Sequence, residues 1–177
     1  MALLVQPALA GCLIGKPQQL TFDNGRVITI IQRHGDDLTY TQPYEGFQDT
    51  VNKSRLMLFP LTSRAGARAT EYRWISKLPK LNQMVPGYHF DLKGTMKSGQ
   101  GEALPYRVAG DVLGQDVVTV GDCPYDVIVV QNVVDLNNQP IISSTDYLSP
   151  DLGVVLRSET VPMSGGTQII QTVVAIQ

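Results

Sequence analysis

Turn signals recur through this chain every ~8–12 residues, and short runs rich in β-branched and aromatic residues lie between them, a rhythm that confines it to an all-β fold. Residues 19–22, the triplet Asp23-Asn24-Gly25 and residues 26–31 read as a hairpin, with Asn24-Gly25 supplying the two positive-φ positions of a type I′ turn. His34-Gly35-Asp36 then turns the chain into residues 37–41. Between 42 and 70 the pattern weakens. One strand is expected over 54–59, broken by Pro60, with an Arg/Ala/Gly-rich loop after it and a short helix conceivable near 48–56. Strand pattern resumes at 71–75, and Tyr88, Phe90 and Leu92 alternate along 87–94 as one face of a half-buried strand. Residues 104–110 and 116–120 follow as two strands. The stretch 125–134 is apolar on both faces and suits a central strand. Asn137-Asn138 turns the chain into 140–148, the run 149–153 is another turn, and 154–159 and 167–176 are the last strands.

That makes about ten strands in hairpin order, with no confident helix. The expected fold is an antiparallel, strongly curved sheet, either a meander sandwich or a half-open barrel. The chain's 177 residues fit one domain. Charged residues make up 17%, below the ~25% of an average soluble domain, and 16 glycines and 11 prolines suit a turn-rich exported protein. A net charge of −2 with scattered Lys and Arg argues against a nucleic-acid partner. No stretch approaches the ~20 apolar residues of a membrane-spanning helix.

The start of the chain carries an address. Ala8-Leu9-Ala10 fits a signal-peptidase site with cleavage before Gly11, and Leu9-Ala10-Gly11-Cys12 resembles the lipobox of bacterial lipoproteins. Residues 1–10 are therefore expected to be the tail of a signal peptide, and 11–177 a single antiparallel β domain. Either cleavage implies an extracytoplasmic protein, in the periplasm or anchored to the outer membrane of a Gram-negative bacterium. The two cysteines allow two exclusive fates. Cys12 and Cys123 form a disulfide, or Cys12 is lipidated and Cys123 stays a free thiol.

Residues 116–121 and 125–130, followed by the turn Tyr147-Leu148-Ser149-Pro150-Asp151-Leu152-Gly153, resemble a block of bacterial periplasmic proteins and lipoproteins of unknown function. Pro86-Gly87-Tyr88-His89-Phe90 is similar to that family's Pro-Gly turn before an aromatic strand. The resemblance covers 84–160 and implies an antiparallel, strongly curved β fold; it brings no catalytic residues. Where the family has a Pro-Ala-Gly turn this chain has Gly121-Asp122-Cys123-Pro124, which places Cys123 in a surface turn and favours the disulfide.

Little reactive chemistry is encoded. Two histidines, His34 and His89, are few for a metal site or a triad, and no Gly-x-Ser-x-Gly elbow occurs. The pairs Asp36/Asp37, Asp122/Asp126 and Asp146/Asp151 read as turn residues holding Asx-type hydrogen bonds. Gly-rich 94–101 lacks the ending of a phosphate loop and reads as a flexible hairpin loop. No metal or cofactor is expected. A possible apolar ligand surface is Phe47, Met57, Phe59, Trp74, Leu78 and Met84, with Leu81 and Val85, all in the irregular middle third; the competing reading is that they complete the core. The expected function is non-enzymatic, by binding an unknown protein or as an envelope structural component. A carrier or sensor of a hydrophobic ligand such as a lipid comes second, and a hydrolase third.

Overall fold

The computed structural model describes residues 12–43 and 49–177; the expected signal remnant 1–10 and Phe47 lie outside the described residues. Twelve antiparallel strands occupy the described chain. They are β1 Gln19–Phe22, β2 Val27–His34, β3 Asp37–Gln42, β4 Thr50–Arg55, β5 Phe59–Ala65, β6 Arg68–Trp74, β7 His89–Ser98, β8 Leu104–Val120, β9 Cys123–Leu136, β10 Gln139–Ser149, β11 Val154–Pro162 and β12 Ile169–Ile176. Each strand pairs with its sequence neighbours, so the expected meander holds from end to end. The sheet closes fully, as neither a sandwich nor a half-open barrel would. Leu20 of β1 stands opposite Ile28 of β2 on one side and Ile176 of β12 on the other, which leaves no strand edge unpaired.

Several local expectations change. The expected strand over 54–59 is two strands and a turn: β4 ends at Arg55, Leu56 and Met57 take φ of 56° and 59°, and β5 begins at Phe59. Nothing in Leu-Met advertises a left-handed turn; burial of Leu56 at 1% exposure holds it there. The Arg/Ala/Gly-rich loop is the β5–β6 hairpin, turning at Gly66. Residues 50–55 are strand rather than helix, and among the described residues the one helical turn is a 3-10 turn at Leu81–Gln83. The two strands expected over 104–120 are the single strand β8, bent by a bulge between Val112 and Gly114. Gly-rich 94–101 is strand through Ser98, and only its end is loop. The Asn24-Gly25 turn is not type I′. Only Gly25 has positive φ, and its N–H donates to the Phe22 carbonyl, a three-residue turn closing on a glycine. Asn137-Asn138, at 52° and 62°, is a hairpin turn with both residues at positive φ.

Alternation then fixes the interior. Phe90, Leu92 and Gly94 of β7, Tyr106, Val108, Gly110 and Val112 of β8, and Ser144, Asp146 and Leu148 of β10 are buried, while His89, Asp91 and Lys93 between them are exposed. Phe59 packs edge-on against Trp74 and Phe90, with centroids 6.5 and 5.4 Å away, and Trp74 packs edge-on against Tyr106 at 5.4 Å. The Trp74 indole N–H donates to the Pro60 carbonyl over 2.8 Å, so its polar end is satisfied within the wall.

A second apolar cluster gathers Leu20, Phe22, Ile28 and Ile30 with Val118, Val120 and Val127 of the long β8–β9 hairpin. Val127 and Ile128 are adjacent on β9, hence on opposite faces, and each is buried in a different cluster; Val154 and Val155 of β11 repeat the arrangement. At this end the wall is covered on both faces. The disulfide Cys12–Cys123 ties the segment before β1 to the start of β9.

Candidate functional site

Two concave features stand out among the described residues. The first is a groove of about 570 Å³ at the end where the 75–88 segment crosses the barrel, lined by Leu81, Met84, Val85 and Pro86 together with Asp36, Lys80, Asn82, Gln115, Ile128 and Pro150. That segment is fastened at several points. The Leu81 N–H donates to Asp36 Oδ2 over 3.0 Å, the Gly87 N–H donates to the Val112 carbonyl over 2.8 Å, and the buried side chains of Leu78 and Met84 anchor it in the core. Its outward residues are left exposed: Val85 is 53% exposed, and Leu113 and Val117 on nearby β8 are 57% and 52% exposed. The groove therefore has a pinned floor, an apolar lip, and one charge of each sign at Lys80 and Asp36.

The second feature is a smaller cavity of about 190 Å³ lined by Phe22, Arg26, Ile28, Tyr40, Gln42, Met57, Asp146, Val155, Ser158 and Gln171. Asp146 is a mid-strand residue of β10, and the reading of it as a turn carboxylate is corrected here. Ser158 Oγ donates to its Oδ1 over 2.6 Å, and Asn132 Nδ2 donates to its Oδ2 over 3.0 Å. Ser144 Oγ stands 2.9 Å from that same Oδ2 and 3.1 Å from Asn132 Oδ1. Burial pushes the Asp146 carboxyl above the usual carboxylate range, against the opposing pull of Ser158, Ser144 and Asn132. Arg26 lies with its guanidinium 4.3 Å over the Phe22 ring, and its buried Nε has no hydrogen-bond acceptor.

The residues expected as an apolar ligand surface do not share one exposed face. Phe59, Leu78 and Met84 are buried in the first cluster, and Trp74 packs half-buried against it. Met57 is half-buried between the two clusters and reaches the small cavity. Met84, with Leu81 and Val85, also forms part of the groove wall. Alternation along β9 and β10 is the signal that would have found the Asp146 cluster: Asn132, Ser144 and Asp146 occupy inward positions among valines and leucines.

Several charged groups pair on the outer wall. His89 Nδ1 meets Asp111 Oδ1 at 2.9 Å, both side chains more than half exposed. Arg107 bridges Asp91 and Asp135 at 2.7 and 2.9 Å, and holds the Asp91 carboxyl below the usual range through that hydrogen bond. Among the described residues no three His, Cys, Asp or Glu side chains converge as a metal site, and no helix is long and apolar enough to cross a membrane.

The fold resembles that of a hypothetical lipoprotein. The hypothetical lipoprotein YmcC of Escherichia coli K12 superposes with a TM-score of 0.56 at 10% identity, over 92% of this chain and 88% of that one. No family model and no curated protein matches the chain by sequence. At that identity the likeness concerns the closed, all-β architecture, and it agrees with the curved antiparallel fold that the 84–160 resemblance implies.

Proposed function

We propose that this chain is an extracytoplasmic β-barrel that acts by binding a protein partner, without catalysis, and that the groove beside the 75–88 segment is its docking face. The observation that carries the reading is the contrast between a barrel lumen filled by Phe59, Trp74, Phe90 and Tyr106 and an open groove whose lip is apolar and exposed. A carrier of lipid or acyl chains needs an enclosed apolar space of ~300–1,000 Å³. The smaller cavity is about 190 Å³ and has Arg26, Asp146, Gln42 and Gln171 in its wall, which suits small polar contents instead.

The disulfide and the fold likeness to a hypothetical lipoprotein support an oxidising, extracytoplasmic address. Lipidation of Cys12 would need the sulfur that is bonded to Cys123, so the disulfide and a lipid at that position exclude each other.

The docking face is tested by placing a photo-reactive side chain at Asn82 in the groove and, separately, at Thr119 on exposed β8. A defined cross-linked species at position 82 alone, abolished by Val85→Asp, supports the reading. Equal labelling at both positions, or none at either, overturns it. Lipid retained by the purified protein in native mass spectrometry would support the carrier instead.

A further inference from the structure

We infer that the small cavity is a binding site for a small organic or inorganic oxyanion, with a carboxylate as the simplest case, and that Arg26 is its counter-ion. This site is separate from the groove and does not rest on the docking reading.

The wall is rich in hydrogen-bond donors: Arg26, the Tyr40 hydroxyl, and the amides of Gln42 and Gln171 face one space. Arg26 is held there by stacking on Phe22 rather than by a partner of opposite charge. Among the described residues no carboxylate forms a salt bridge with it. An oxyanion in the cavity would meet the guanidinium with a charge-assisted hydrogen bond.

The acid in the same wall is engaged by other donors. Ser158 Oγ donates to Asp146 Oδ1 over 2.6 Å, Asn132 Nδ2 donates to its Oδ2 over 3.0 Å, and Ser144 Oγ lies 2.9 Å from the same Oδ2. Burial, against the pull of these donors, raises the Asp146 carboxyl and so disfavours its charge. Among the described residues Arg26 is the one cation in the wall. Its volume of about 190 Å³ corresponds to about six waters, so the occupant is a small anion or the anionic end of a larger molecule.

The test is an NMR titration of the Arg26 Nε–Hε signal with sodium acetate and, separately, sodium phosphate, each against sodium chloride at matched ionic strength. A saturable shift with acetate or phosphate and none with chloride is expected, and the two arms separate organic from inorganic oxyanions. Arg26→Gln, checked for an intact amide spectrum, should lose the saturable response of the neighbouring Phe22 and Tyr40 signals by at least tenfold in affinity. Arg26→Lys, which keeps the charge but not the planar guanidinium, should weaken it less. A response identical to chloride overturns the site, as does binding that survives Arg26→Gln.

Discussion

Gly110 of β8 stands opposite Phe90 of β7, and the Phe90 ring fills the space that a side chain at 110 would need. A Cβ there would lie 2.8 Å from Phe90 Cζ and 2.2 Å from the Gln131 carbonyl oxygen; at Gly94 it would lie 2.6 Å from the Arg73 carbonyl. Both glycines hold buried, inward positions beside the aromatic cluster, Gly110 opposite Phe90 and Gly94 opposite Trp74 and Tyr106. Gly110→Ala and Gly94→Ala should each destabilise the barrel by about 1–3 kcal/mol or more in urea unfolding, because backbone atoms rather than side-chain tips must move. Gly114→Ala, with nothing within 4 Å of its Cβ and no positive φ, is the control and should be neutral or slightly stabilising.

The Cys12–Cys123 bond closes a loop spanning 111 positions. Limiting the unfolded chain in that way is worth about 2–4 kcal/mol, so paired Cys12→Ser and Cys123→Ser substitutions should lower the urea midpoint accordingly. Reductant should produce the same loss in the native protein and none in the double variant. A native midpoint insensitive to reductant would mean that the two thiols are not paired in solution.

The all-β meander was legible because its hairpins carry local turn chemistry, as at Asn137-Asn138 and Gly121. Closure was not, because it depends on four residues of β1 finding both β2 and β12, a long-range pairing with no local mark. The Leu56-Met57 turn was hidden for a related reason: Leu56 is held at positive φ by burial rather than by its own preference. Phe59 and Trp74 drew attention as an apolar surface since prolines and weak alternation surround them, yet the same residues are what a lumen needs. Asp146 was masked by composition. Asp beside Ser and Thr reads as turn material, and only its inward register in β10 distinguishes it.

Phe59 separates core from ligand surface experimentally. It is 1% exposed and touches both Trp74 and Phe90, so Phe59→Ala should cost about 3–5 kcal/mol through a cavity in the lumen. Val85→Asp, at a 53% exposed position, should change stability by less than about 0.5 kcal/mol. Comparable losses in urea unfolding for the two would mean that the groove lip is part of the core.

Asp146 should impose a pH dependence opposite to that of most carboxylates. Its folded-state value is raised by burial, so the folded protein holds that proton more tightly than the unfolded chain does. The resulting stabilisation is present at low pH and is lost as pH climbs from the ordinary carboxylate range through the raised value, at about 1.4 kcal/mol per unit of elevation. Asp91 works the other way. Arg107 depresses its carboxyl, so its contribution is present above the ordinary range and disappears as pH falls, but both groups are exposed and the effect is small. In an Asp91→Asn background, the melting temperature relative to Asp91→Asn/Asp146→Asn should therefore fall as pH rises above about 4, the unfolded value of an Asp. A difference that stays flat or grows with pH would show that Asp146 is ionised in the folded barrel.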